Sequence, residues 1–541
     1  MKTWTVRSLV CLACSAVALA MASAQTDDGQ QQDGQQQEGQ QQRGQQQGGQ
    51  QQGQQQGQQQ VGQQQVGDTP APPRVQPATQ GPQYLDLRYN EDWSHIKEVP
   101  GPADFWDPIK YIVLNDRGWY LTLGGEIRER YDNWNNAVFG YLPGWLNKSL
   151  QRYMFHADAH FGPHVRVFLQ IQSALEFGQK GQPFYTDKDT FEFHQGFIDF
   201  RSSEDPKHYT LLRVGRQEIA LGTHVSARFE AGDHFVSTSD YFNARRNFDG
   251  VTLTVGRGSW TWFGQATKPV LLNPGAFDDA PEHGRTSWGG GFFAPNPFTK
   301  QGQIGVFYAG LDTKQQLWQR GLGRDQRHTI GGLIGGAQKG WDYTYETLVQ
   351  LGTFTPVQGP SVGIRAWAVT TDDGFTFQKS RHYPRIGLSS SFTSGDSGHG
   401  NLGTFHPLFP DTTYSGKMGL IGPSNGYEVT PTYRLGLTRR IYWLNEWSFF
   451  WRQNIHDAVY SPALLTVPVG SGITGFIEKP GNFSTARFIG SQAGSAAMIT
   501  IDRHLTWVVA YAHFVNIGQF LKETPPADRT ALFMTFLNYT F

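Results

Sequence analysis

Cysteine is nearly absent from this chain of 541 residues: there are two, Cys11 and Cys14, both near its start. They fall inside residues 1–24, which have the three parts of a secretory signal peptide: Lys2 and Arg7, an apolar middle over 9–20, and Ala22-Ser23-Ala24 as a small-residue cleavage site. Cleavage there removes both thiols, so neither disulfides nor thiol chemistry is expected afterwards. No later run approaches the ~18 apolar residues of a membrane helix. A chain that crosses a membrane without such a run must cross with strands. Charge is also scarce, at 17% of residues with a formal net charge of -1, against roughly 25% in soluble domains. That balance gives no footprint for a nucleic-acid partner. A nucleophile elbow, an HExxH pair, a Walker A loop and a dinucleotide fingerprint are missing too. No catalytic centre, metal or cofactor is therefore expected.

Glutamine and glycine dominate residues 25–67 in GQQQ units, and a proline-rich stretch follows at 70–82. Residues 25–83 lack the apolar content to offset their ordering entropy and are expected to be disordered. Aromatic and apolar anchors begin at Tyr84, so residues 84–118 are expected to form an N-terminal periplasmic segment leading into a barrel over 119–541.

The barrel expectation rests on period-2 alternation. In 151–177, QRYMFHADAHFGPHVRVFLQIQSALEF, one face carries Arg152, His156, Asp158, His160, Arg166 and Gln170, and the other Tyr153, Phe155, Val167, Leu169 and Ile171. Two antiparallel strands with one wet face follow, turning at Gly162-Pro163. A hairpin of a soluble sandwich would look the same. The rest of the chain favours lipid on the apolar side and an aqueous lumen on the other. Alternation and turn signals predict eighteen strands, from one near 120–131 to one near 530–541, and an even number lets an antiparallel meander close. Short turns (162–163, 339–340) contrast with long connections (221–243, 393–425), and Phe541 ends an alternating strand in the manner of outer-membrane assembly signals. The expected class is all-β: a transmembrane antiparallel barrel of about eighteen strands in outer-membrane lipid.

Alternation places Arg128, Arg130, Arg152, Arg166, Arg434 and Arg452 towards the lumen, with His156 and His160 among them. Glu126, Asp158, Glu176 and Glu346 are available partners, and pairing within the wall is the plain alternative for each arginine. Guanidinium groups left over would bind uronate carboxylates through two parallel hydrogen bonds. His156, Asp158 and His160 have the spacing of metal ligands, but alternating polar residues are the rule on a lumen face. Asp278-Asp279 and Asp372-Asp373 lack a spaced ligand loop and are expected to be solvated.

The chain also resembles the alginate-export family of outer-membrane porins from about residue 89 onwards. The matching pieces are RYNEDW (88–93), DPIKYI (107–112), LGGEIRERY (123–131), GRQEI (215–219), NARRNFDGV (243–251) and RHTIG (327–331). SGD (394–396), LGTFHPLFP (402–410), FFWR (449–452), DAVY (457–460) and YAHF (511–514) follow in order, although SGD lacks a second acidic residue after it. The resemblance implies eighteen strands and export of an anionic polysaccharide such as alginate through an arginine-rich lumen, alongside periplasmic secretion proteins. It adds Arg216, Arg245 and Arg246 to the candidate lining. Uptake of small anionic solutes and a barrel enzyme using lumen His and Asp residues are the alternatives.

Overall fold

The computed structural model describes residues 84–97, 104–179, 186–220, 237–299, 301–411, 415–462, 466–467, 484–523 and 528–541. The expected signal peptide and the Gln/Gly-rich stretch lie outside them. Eighteen long strands form one closed antiparallel barrel. They are β1 (Tyr120–Ala137), β2 (Leu142–Phe161), β3 (Val165–Phe177), β4 (Asp189–Arg201), β5 (His208–Gln217) and β6 (Phe248–Arg257). β7 (Trp260–Leu271), β8 (Arg285–Pro295), β9 (Gln301–Trp318), β10 (Gly321–Gln338), β11 (Trp341–Pro356) and β12 (Val362–Thr376) continue the wall. β13 (Arg385–Thr393), β14 (Gly426–Gly436), β15 (Ile441–Arg452), β16 (Phe488–Thr500), β17 (Leu505–Ile517) and β18 (Ala531–Thr540) complete it. Consecutive strands pair, and β18 returns to β1 with Glu126 opposite Thr540 and Asn135 opposite Ala531. Closure leaves no free long edge to template aggregation.

One residue parity faces out along each strand. Leu169, Ile198, Val251, Ile330, Val349 and Trp447 stand exposed on that outer surface, where lipid covers them. β1, β2, β9 and β10 run further than alternation predicts. Past Tyr131 and Leu311 the outward residues, Asn133, Asn135, Asp312 and Lys314, are polar, which erases the apolar half of the period. The ladder continues with a polar outward face, where Arg324 pairs with Asp312 at 2.6 Å, while Trp134 and Trp318 are buried on the inner one.

The lumen is far from empty. Residues 237–247 of the β5–β6 connection turn inward, as do residues 402–411 of the β13–β14 connection, and Ser237 N–H donates to Phe409 O at 3.0 Å where they meet. Phe405, Leu408 and Phe409 pack on Leu311, Leu348 and Ala366 of the wall. From the other end, segment 84–97 lies against β1 and β3–β5. Tyr89 stacks edge-on against Phe168 and Phe197 at 6.0 and 5.4 Å, and Arg88 donates to Gly125 O and Phe541 O at 2.9 and 3.0 Å. Gly124 makes room for the Lys110 and His156 side chains, since a Cβ there would sit 2.6 Å from Lys110 Nζ and His156 Cε1.

Candidate functional site

β1 and β2 place Arg128 directly opposite Arg152. Two like charges facing each other across a ladder are destabilising unless an anion lies between them. Two anions do. Glu126, on the same wall, meets Arg152 Nη2 at 2.6 Å. Asp240, from the inward β5–β6 connection, takes Arg128 Nη2 on Oδ2 at 2.6 Å and Arg152 Nη2 on Oδ1 at 2.6 Å. Arg245 reaches the same Oδ1 at 3.2 Å and Glu218 at 2.7 Å. The three guanidinium groups are buried, Arg152 completely, whereas the Asp240 side chain is 44% exposed. Burial opposes ionisation of Asp240, yet Arg128, Arg152 and Arg245 hold its carboxyl well below the usual carboxylate range.

A second network climbs around the wall. Arg166 grips Asp158 through Nε and Nη2 at 2.6 and 2.5 Å, and its Nη1 lies 3.7 Å from Asp199, which Arg213 grips at 2.7 and 2.9 Å. The Arg213 guanidinium then lies over Tyr89, 4.0 Å from the ring centroid, so segment 84–97 caps the series. His160 also contacts Asp158, at 3.1 Å. His156 instead stacks on Phe168 at 5.4 Å with Nδ1 unpartnered, so the three residues with ligand spacing do not converge.

The other expected residues have separate environments. Arg130 is held by Asp132 at 2.7 and 2.8 Å and lies over the Tyr241 ring. Arg246 donates to Ser237 O and Phe409 O, both at 3.1 Å, tying the two inward connections together. Arg452 is fully buried among carbonyls, donating to Ile455 O at 3.0 Å and Ser484 O at 2.6 Å. Arg434 faces Arg385 directly across β13–β14. Asp342 and Asp372 both engage Arg385, at 2.6 and 3.1 Å, while Arg434 Nη2 has no hydrogen-bond partner. Arg216 does not belong to the lumen. It shares parity with Leu212 and Val214, and pairs on the outer surface with Asp249, its direct cross-strand partner, at 2.9 Å.

Sequence reasoning missed Asp240 because loop residues have no period. It also missed a knot in the β13–β16 connections: Asp457 Oδ2 accepts from Asp396 N–H at 2.8 Å and Thr404 Oγ1 at 2.6 Å, and Arg320 grips Asp396 at 2.5 and 2.8 Å. The DAVY, SGD and LGTFHPLFP fragments signalled it only as separate pieces. Burial first, then Asp396, pushes the Asp457 carboxyl up to about 6 against these donors.

Residues 119–535 match the alginate export family. The chain belongs to the alginate export family. No curated protein matches it. Among solved structures it is similar to a BenF-like porin from Pseudomonas fluorescens Pf-5, at 11% identity and a TM-score of 0.48 over 78% of this chain and 98% of that one. It is also similar to Pseudomonas aeruginosa OccK2 (OpdF) in complex with glucuronate, at 10% identity and a TM-score of 0.48 over 80% and 98%. This alginate-export barrel is an outer-membrane channel.

Proposed function

We propose that the channel passes an anionic polysaccharide or oligosaccharide of the alginate type outward from the periplasm, by exchange of carboxylates on fixed arginines. The observation that carries this reading is Asp240, a half-exposed loop carboxylate on which Arg128, Arg152 and Arg245 converge. Its carboxylate occupies the place a uronate would take. When the β5–β6 connection moves aside, three guanidinium groups lose one counter-charge and accept a passing carboxylate in its stead. Guanidinium suits this role because it binds carboxylates in a planar fork and stays charged at any physiological pH. Arg434, with Nη2 unengaged, supplies a further anion contact near the short-turn end of β14. Uptake of small anionic solutes is the second reading. It is favoured by the two loops and segment 84–97 packed inside the lumen, which narrow the path. Periplasmic secretion proteins would meet the channel at its short-turn end.

Planar-bilayer recording tests both. The channel is expected to prefer anions and to be blocked by polyuronate from at least one side. Cation selectivity, or current indifferent to polyuronate, overturns the first reading. Block by monouronate alone selects the second.

A further inference from the structure

β5 pairs with β4 only as far as Gly196, because the chain then turns into the lumen. The upper edge of β4 is thereby left without a strand. The β7–β8 connection covers it: Thr190 N–H donates to Gly275 O at 3.0 Å, Phe277 N–H to Phe191 O at 2.9 Å, and Thr190 Oγ1 to Pro274 O at 2.8 Å. Phe277 packs edge-on against Phe191, with centroids 5.2 Å apart.

This docking brings Asp278 and Asp279, expected to be merely solvated, up to Glu192. One carboxylate oxygen of each lies within 4.8 Å of the others. Gly275 makes room, since a Cβ there would lie 2.3 Å from Asp278 Oδ2. Two carboxylate oxygens at this seam are buried without a donor. One is Asp279 Oδ2; the other is Oδ1 of Asp189, a residue that is 0% exposed and whose charge is opposed by those of Asp279, Glu192 and Asp278. The remaining Asp189 oxygen has only the Gln172 amide, at 3.2 Å. Arg216, the neighbouring cation, pairs with the Asp249 carboxylate at 2.9 and 3.1 Å and meets Asp279 at its backbone oxygen, at 3.4 Å.

Burying carboxylate oxygens without donors is costly, and clustering them adds repulsion. A cation removes both penalties. All the donors are oxygen, which selects a hard ion, and their irregular spacing with one solvent-open member suits the six to eight flexible ligands of Ca²⁺ better than the octahedron of Mg²⁺. We propose that Glu192, Asp278 and Asp279 form a Ca²⁺ site, backed by the buried Asp189 carboxylate, that clamps the β7–β8 connection to the free edge of β4. The clamp closes the wall where the β5–β6 connection leaves it, and it does not depend on what the channel carries.

The test is calorimetric titration of the full chain, folded in detergent and stripped with chelator, using CaCl₂ and MgCl₂ separately. Wild type is expected to bind one Ca²⁺ saturably and to unfold at a higher temperature with it. Asp278→Asn, which changes an exposed side chain, and Glu192→Gln should each weaken binding at least about tenfold, because affinity follows ligand charge. Asp205→Asn, on an exposed short turn, should leave it unchanged, and heat-modifiable migration establishes that each variant is folded. Absence of saturable Ca²⁺ binding, or binding undiminished in the Asp278→Asn/Glu192→Gln double variant, overturns the site. Equal affinity for Mg²⁺ overturns the choice of ion.

Discussion

Replacing Asp240 by Asn keeps the shape of the side chain and removes the charge that holds three arginines. The wild-type group comprises Arg128, Arg152 and Arg245 against Glu126, Asp240 and Glu218, which balances. In the variant the same six positions carry one net positive charge. Each hydrogen bond to a charged group contributes about 1.5–3 kcal/mol, but three that end on one carboxylate do not add. Breaking a fully buried pair costs about 3–5 kcal/mol. Asp240 is 44% exposed, so water recovers part of this, and about 2–3 kcal/mol is the expected loss in loop anchoring. At 1.4 kcal/mol per tenfold, the population with the β5–β6 connection released rises between about 30- and about 140-fold. Single-channel recording should therefore show more frequent and longer high-conductance intervals, together with a reversal potential shifted towards the anion. Both effects should shrink as salt rises, because screening acts on the exposed part of the network. Identical gating and selectivity in wild type and Asp240→Asn would refute the idea that this carboxylate pins the loop.

Two other substitutions probe the lipid face and the N-terminal segment. Ile330 sits mid-strand on β10, 58% exposed on the outer surface; Ile330→Arg should cost about 2–4 kcal/mol in urea unfolding from lipid vesicles, and an unaffected midpoint would mean that this parity does not face hydrocarbon. Lys110 is buried with its ammonium over the rings of Tyr84 and Trp93, at 5.2 and 4.8 Å. Burial first, then the nearby Arg88, bring its pKa from 10.5 down to about 7. A folded-state value below the unfolded one means the unfolded chain binds more protons in between. The stability Lys110 contributes is thus full above 10.5 and lost as pH falls towards 7. Lys110→Met should flatten that slope in thermal unfolding between pH 7 and 10, and an unchanged slope would rule the residue out as its source.

The wall was legible because lipid outside and water inside impose the same two-residue period on every strand. Leu169 against Gln170 or Val349 against Gln350 reads identically in sequence and in space. The period fails where the outward face turns polar as well, which is why the continuation of β1 and β9 past Tyr131 and Leu311 did not show in it. Parity also contained the correct side for Arg216, two residues beyond Val214, although its place in a family-like fragment suggested the lumen. Partners were a different matter. Alternation assigns Arg152 to a face without revealing that Asp240, from a connection with no period, folds back 88 residues along the chain to meet it. The same limit hid the acidic cluster, since Asp278-Asp279 meets Glu192 only when β4 lacks a neighbour.

The pairing of like charges bears on how a chain of net charge -1 can serve anions. A wall that only needed stability would avoid Arg128 opposite Arg152 and Arg385 opposite Arg434, because each arrangement requires a counter-ion to be tolerable. At Arg385 the wall's own Asp342 and Asp372 provide it, and those charges are fixed. At Arg128 and Arg152 half of the compensation comes from a loop. On the proposed reading, attraction for anions at this cluster is therefore latent: its six charges balance while Asp240 is in place and turn net positive when that one carboxylate leaves. Bulk composition cannot report such a lumen, whereas the side of the barrel from which each counter-charge arises can.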